Sequence, residues 1–501
     1  MEKRAEQMQP RLLFAFAIGL TLLRLLDLRT APFINDEPAL QLMIDQHRAA
    51  HTVPTHGLEG TRGVVYGPTA LWLYMPVRFL TDSVTAITGA HALAHCAGLI
   101  LVFLAVERSA GLVAALWTWL LLGASPYLFF YSRLPWDNTF LIPLGGLVLF
   151  LLSRLESEPG RAGVWVGLGV ACGLIFDLHL MALPEIAAVG VTAAPIAWRS
   201  RRSRSALAGM VVGVLAAGGV VAPYLGDVAG TLLRGSHFTF TTEGLTDTVP
   251  ETLQAMRRYL SADGMDYFLD RTNEPVRAAL GPLVWGSPLG WVVAFAGLGC
   301  LVAATSTLLH RMARPRPGGT TTPIVARFGI AFFWLFLLYY FGVRPSPFHP
   351  HYVIATFWIL PFFAAWSLQH LPRPGRMCLQ GVIGLLAACD LAFVVVAHAQ
   401  ISRNHGTRGF HYSSIPEEVS AATGTICRTA RAAGRSVAIV DLRRVPGVLP
   451  PPFQWFDRHL SDCAGVDLVF SAFARRPSDP AFGVFYGDAS AYDARLHVLA
   501  R

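Results

Sequence analysis

Residues 30–81 read TAPFINDEPALQLMIDQHRAAHTVPTHGLEGTRGVVYGPTALWLYMPVRFLT. They follow an apolar segment, residues 11–28, long enough to cross a bilayer. Two adjacent carboxylates, Asp36 and Glu37, stand a few residues beyond its end. Pro38 suits the first turn of a helix, with the acids at its N-terminus. Leu40, Met43 and Ile44 then share one face, so the spacing predicts a short amphipathic helix lying on the membrane surface. A second apolar run, PTALWLYMPVRFL, follows Tyr66-Gly67-Pro68. It is too short to span and carries Trp72 and Tyr74, which favour the interface. The expected picture is a carboxylate pair at the water–lipid boundary beneath two membrane-hugging helices. Such a place suits chemistry on a lipid-linked substrate.

Working outward, the chain has 501 residues, 53% hydrophobic and only 14% charged, with mean hydropathy +0.46. Soluble domains carry about 25% charged residues, so this composition predicts a polytopic membrane protein. The net charge of +8 is not a nucleic-acid signature, because its arginines cluster in short loops between apolar segments. We count eleven candidate spans, near 11–28, 85–106, 110–130, 137–153, 162–178, 180–197, 206–226, 285–309, 323–343, 350–370 and 376–397. Each is roughly 17–25 residues, enough for about 30 Å of hydrocarbon. The N-terminal MEKRAEQMQPR has no small-residue cleavage site after it and reads as the flank of an uncleaved first span.

Arg199, Arg201, Arg202 and Arg204 fill one short loop, Arg311, Arg314 and Arg316 another, and Arg373 and Arg376 a third. Eleven spans with a cytoplasmic N-terminus put all three inside. The first loop, 30–84, then lies outside, with the turn at Arg133–Asp137, the long loop 227–284 and everything beyond residue 400. That long loop holds eight acidic residues against five arginines, which suits an exterior position. The expected organisation is a membrane domain over 1–400 and a small α/β domain over 401–501, with β-like runs at SVAIVDL, VDLVFSA, FGVFYGD and RLHVLA. Cys427 and Cys463 lie in that tail, and a disulfide between them is open if the tail is exterior. The other five cysteines sit in apolar segments as packing residues.

The hairpin over 162–197 carries Asp177, His179 and Glu185. Either it is an ordinary pair of helices with polar groups at the interface, or Asp177 and His179 line a cavity. His91 and His95, four apart in one span, read as two packed interior histidines, since no third metal ligand has suitable spacing. Neither a Walker A motif nor a dinucleotide fingerprint nor a nucleophile elbow is present.

Three features recur together. They are Asp36-Glu37 after span one, Tyr66-Gly67-Pro68 before an aromatic amphipathic helix, and SPYLFFYSRLPWDNTFLIPLGGLVLFLL (125–152), in which Arg133 ends span three and Trp136-Asp137-Asn138 opens span four. This combination resembles the GT-C class of membrane glycosyltransferases. More closely it resembles the protein O-mannosyltransferases and lipid A aminoarabinose transferases of the dolichyl-phosphate-mannose-protein mannosyltransferase-like superfamily (glycosyltransferase family 39). The run FHPHYVIATFWILPFFAAWSL (348–368) is similar to a late motif of that family. The resemblance covers about residues 10–400. It implies an all-α polytopic fold and transfer of a hexosyl or pentosyl group from a polyprenyl-phosphate sugar donor. The acceptor would be an envelope lipid such as a lipopolysaccharide precursor, a glycan or a protein, on the periplasmic side of a bacterial inner membrane. Partners would be donor, acceptor and membrane lipids, without nucleic acid. No cofactor is assigned, and a divalent metal is left open with no ligands assigned.

Carried onto this sequence, the catalytic role falls to Asp36, with Glu37 beside it and Asp137 as a second acidic position. The aminoarabinose transferases place an Arg and a Lys near the donor phosphate where this chain has Leu40 and Gly67. The phosphate must therefore meet other cations, and the exterior candidates are Arg62, Arg133, Arg344, His349 and His351. Tyr66, Trp136 and Tyr352 are the expected substrate contacts. The residues agree independently, because glycosyl transfer needs a carboxylate to take a hydroxyl proton and cations to receive a leaving phosphate. The plainer alternatives are a helix cap for Asp36-Glu37 and an i,i+4 ion pair for Arg133 and Asp137. The rival function is a transporter or flippase of envelope precursors, which predicts internal repeats and helices broken near the midplane.

Overall fold

The computed structural model describes residues 14–33, 36–59, 65–226, 245–263, 265, 286–313, 322–342, 350–403, 406, 415–434, 436–441, 450–470, 483–487 and 496–499. Arg62, Arg344 and His349 lie outside them, as does most of the 227–284 loop.

Helix α1 (Phe14–Leu25) leads into the first loop. There α2 (Asp36–Ala50) and α3 (Thr69–Leu80) form, with Asp36 and Glu37 in the first turn of α2. Leu40 and Ile44 are buried as the amphipathic pattern requires, but Leu42 and Gln41 are buried too. The helix is thus covered on more than one face, for a reason the tail supplies below. Helix α4 (Val84–Ala110) starts at the Ser83 cap, whose Oγ accepts the Ala86 amide. The third apolar segment is broken by Ser125-Pro126 into α5 (Leu112–Ala124) and α6 (Pro126–Tyr131), since Pro126 cannot continue the hydrogen-bond ladder of the preceding turn.

Helices α7 (Leu141–Ser157), α8 (Ala162–Leu178), α9 (Leu183–Ser200) and α10 (Arg204–Val221) follow as up-and-down segments. Beyond them come α11 (Leu245–Arg258), α12 (Gly286–Ala313), α13 (Ile324–Gly342), α14 (Ile359–Ser367) and α15 (Arg373–Arg403). The segment expected to span 350–370 as one helix is instead a 3₁₀ turn, Pro350–Thr356, followed by the short α14.

Among the described residues, seven helices are long and apolar enough to cross a membrane, and four apolar ones are shorter. In lipid, interfaces are made by small residues that let backbones approach. The α4–α7 contact is built that way. A Cβ on Gly146 would fall 2.4 Å from the Gly98 carbonyl oxygen, and one on Gly98 would fall 2.5 Å from Pro143 Cα.

The tail contains α16 (Pro416–Ala432) and α17 (Pro450–His459). Strands β1 (Val437–Asp441), β2 (Asp467–Phe470), β3 (Gly483–Gly487) and β4 (Leu496–Leu499) form one sheet in the order β2-β1-β3-β4. β1 is parallel to both neighbours, and β4 closes the edge antiparallel to β3. Cys427 and Cys463 are paired as a disulfide, fastening α16 to the turn after α17. Helix α17 lies against the first loop. Trp455 packs edge-on to Phe33 at 5.5 Å, and the buried Arg78 guanidinium sits 4.4 Å over the Trp455 ring. Arg78 also bonds Asp45 at 2.5 Å and Asp82, while His459 Nε2 lies 3.4 Å from Asp45. The tail therefore roofs α2, which is why that helix is buried beyond its apolar face.

Candidate active site

Asp36, the first residue of α2, receives a hydrogen bond from the Trp136 indole N–H. The neighbouring Asp137 caps the 3₁₀ turn Asn138–Phe140, and its Oδ1 accepts the Asn138 amide at 2.7 Å. Two acids 101 positions apart (137 − 36) are thus brought together by one tryptophan and one cap.

Burial holds the Asp36 carboxyl above the ordinary carboxylate range, and the Trp136 bond works against that rise. Asp137, one residue outside the span Asn138–Ser157, is pushed up to about 8, first by burial and then by the charge of Asp36, with a smaller push from Glu37. Burial and the nearby charge of Asp36 thus keep a proton on Asp137 near neutrality. Asp137 is the more buried partner, at 4% exposure, and holds that proton. Asp36 is the more exposed of the two.

The Tyr66 phenol lies within electrostatic reach of Asp137, Tyr352, Tyr224 and Asp36. Burial raises its pKa, so it stays an O–H donor. The Tyr66-Gly67-Pro68 turn is held from several sides. Tyr66 exchanges backbone hydrogen bonds with Gly57 and Leu58 at 2.7 and 2.9 Å, and Tyr224 Oη donates to the Val65 carbonyl at 2.6 Å. The Gly67 amide donates to the Asp177 carbonyl at 2.6 Å. A Cβ at Gly67 would lie 2.5 Å from that same oxygen, so only glycine fits there. Pro68 then caps α3.

The opposite wall is aromatic. The Trp136 ring meets His351 at 4.9 Å, His351 meets Tyr352 at 4.3 Å, and Tyr340 Oη donates to the Tyr352 carbonyl. Tyr66 stacks obliquely on His179 at 4.3 Å. Burial lowers His179 to about 3, so it is neutral, and its Nδ1 accepts the Met181 amide. Beneath Glu37, which is buried, lies Tyr74. Tyr74 Oη meets His91 Nδ1 at 2.9 Å, and His91 Nε2 meets Thr139 Oγ1 at 3.0 Å. Thr139 in turn donates to the Trp136 carbonyl at 2.6 Å. His91 and His95 are therefore packed interior residues that brace the Trp136 turn from behind.

Asp36, Asp137, Tyr66, Trp136, His351 and Tyr352 thus converge at one end of the bundle, with Glu37 just below. Arg133 is engaged by the segment after α1 and by α15. It is buried, donating to the Asp27 carbonyl at 2.5 Å and Thr30 Oγ1 at 2.9 Å, and it meets His398 at 3.4 Å. Those bonds tie the ends of α1, α6 and α15 together, and a phosphate ligand would have to displace them. The sequence reading offered His179, with Asp177, as one of two alternatives for a cavity wall, and did not find Tyr224 or Tyr340 as site supports. Each is a lone ring at a helix end, distinguished only by what the fold sets beside it. Among the described residues, two clusters of His, Cys and acidic groups are close enough to share an ion. One, Asp45–Asp82–His459, already holds Arg78, and the other contains the disulfide. No third ligand of that kind joins Asp36 and Asp137.

No protein-family model matches the sequence, and no curated protein does. Solved structures do. ArnT from Cupriavidus metallidurans bound to undecaprenyl phosphate superposes with a TM-score of 0.52 at 14% identity, covering 92% of this chain and 86% of ArnT. The Archaeoglobus fulgidus oligosaccharyltransferase tethered to an acceptor peptide gives 0.46 at 11%, covering 93% of this chain and 64% of its own. The arabinofuranosyltransferase AftD from Mycobacteria gives 0.38 at 14%, covering 87% of this chain and 29% of its own. With its helices threaded as in ArnT over nearly the whole length of both proteins, the chain is a polytopic membrane protein of the GT-C fold.

Proposed function

We propose that the protein is an integral-membrane glycosyltransferase that moves a hexosyl or pentosyl group from a polyprenyl-phosphate donor to a cell-envelope acceptor. The observation that carries this is the juxtaposition of Asp36 and Asp137, walled by Tyr66, Trp136, His351 and Tyr352. Asp36 takes the proton from the acceptor hydroxyl as its oxygen attacks the anomeric carbon. The bond from that carbon to the phosphate oxygen breaks, and polyprenyl phosphate leaves. Asp137, protonated, and the Tyr66 phenol donate hydrogen bonds to the sugar. The leaving phosphate is received by His351 together with Arg62, Arg344 and His349. The undecaprenyl phosphate held by ArnT supports a donor of this class.

The reading extends to eleven spans in a bacterial inner membrane. The N-terminus is cytoplasmic, and the site and the domain over 401–501 are periplasmic. The arginine loops and the grouping of the site at one end of the bundle support it. Replacing Asp36 with Asn keeps shape and removes the base, a change that typically costs 10²–10⁴-fold in rate. The expected result is loss of sugar transfer in membranes with normal protein level. Transfer at near wild-type rate would overturn the assignment of Asp36.

A further inference from the structure

The other end of the bundle carries a second feature. Helix α4 rises about 1.5 Å per residue over 27 residues, so Ala110 lies roughly 40 Å from the site end. At that far end the Gln369 amide donates to the Ala110 carbonyl, and the Ile324 amide donates to Glu156. Gathered there are Arg199 in the last turn of α9, Arg201 and Arg202 after it, Arg311 near the end of α12, and Arg373 and Arg376 at the start of α15.

Between α12, the end of α14 and the start of α13 lies a cavity of about 630 Å³, within the 300–1,000 Å³ that ligand sites commonly occupy. It is lined by Ala296, Gly299 and Ala303 of α12, by Trp366 of α14, and by Arg311 and His370. His370 packs edge-on to Trp366 at 5.1 Å. The same side of α12 faces outward, with Phe295 62% and Leu309 61% exposed, which in a membrane helix means toward lipid. An apolar trough that opens to the bilayer and carries an arginine beside an imidazole matches one amphiphile, an acyl chain with an anionic headgroup. Basic pockets between membrane helices bind anionic lipid heads for this reason.

We infer that this cavity is a binding site for an anionic glycerophospholipid, one acyl chain lying along Ala296–Ala303 and its phosphate meeting Arg311 and His370. It is separate from the site for the sugar donor and does not depend on the proposed transferase activity.

The test uses the full-length protein purified in mild detergent, delipidated, and placed in nanodiscs of phosphatidylglycerol mixed with phosphatidylethanolamine. Retained lipid is counted by mass spectrometry. The native protein is expected to retain phosphatidylglycerol at several times its share of the bilayer. Gly299→Leu fills the trough. Nothing lies within 4 Å of a Cβ there, and leucine is a better helix former than glycine, so the variant folds. It should lose the retained lipid. Arg311→Gln should keep a lipid while its preference for phosphatidylglycerol falls about fivefold, the effect of one surface charge near an anionic lipid. Retained lipid that mirrors the bulk mixture, unchanged retention in Gly299→Leu, or added polyprenyl phosphate displacing the phospholipid from this trough would each overturn the inference.

Discussion

At the scale of single residues, the chemistry turns on the protonation of Asp36 and Asp137. Trp136 donates to Asp36 and so favours its charged form. Trp136→Phe removes that donor but keeps the ring against His351. The acid limb of kcat/KM, which reports the free enzyme's base, should therefore move to higher pH in the variant. An unmoved limb would remove Asp36 from that role.

Asp137 makes an opposite kind of prediction, about stability. Its folded value of about 8 lies above the ordinary 3.8, so the folded state holds a proton that the unfolded chain releases. The contribution is fully present below about pH 4 and declines as pH rises toward 8. Asp137→Asn cannot ionise, and its side-chain oxygen can still accept the Asn138 amide. Its Tm relative to wild type should rise between about pH 4 and 8 and level off above, which thermal melts at four or five pH values would read. A difference independent of pH would mean that Asp137 is charged in the folded protein.

At the scale of elements, the helix that carries Asp36 is held from above by α17. Arg78 is fully buried between Asp45, Asp82 and the Trp455 face, and Trp455 stacks on His459 at 3.9 Å. A buried charge is tolerated when it is paired and bonded in this way. Truncating Trp455 to Ala removes the ring that covers Arg78 and Phe33. Loss of a buried aromatic costs about 3–5 kcal/mol, and here it should fall on the α2–α17 contact. We expect faster proteolysis of the tail and reduced transfer, while the membrane helices keep their helical circular dichroism. Unchanged proteolysis would show that the contact holds nothing in place.

The amphipathic pattern of α2 was legible in the sequence, and its cover was not. Nothing near residue 40 indicates that residues 455–459 return to it. Likewise the spans read as single helices over 110–130 and 350–370 are broken, the first at Ser125-Pro126 and the second by the turn over 350–356. The turn over 350–356 sets His351 against Trp136 and Tyr352 over Tyr340, contacts made through space.

At the scale of the whole molecule, the arginine loops predict which end of the bundle faces the cytoplasm. A reporter fused after Arg501 should read as exterior, on the same side as one inserted at residue 60. Opposite readings would show a miscounted span. What the sequence determined by itself is what depends on composition and local spacing. Long apolar runs must cross the bilayer because their backbone and side chains have no other stable place. Asp36-Glu37, Tyr66-Gly67-Pro68 and Trp136-Asp137-Asn138 declare themselves as polar breaks at the ends of such runs. What only the tertiary structure decided is which of these breaks meet. Arg133 and Asp137 look equally eligible in the sequence, four residues apart. The fold turns Arg133 onto Asp27, Thr30 and His398 and turns Asp137 toward Asp36. The reason for Arg133 is physical: a buried guanidinium goes where acceptors already are, and those acceptors, 103 and 106 positions away in the sequence, are brought to it only by packing.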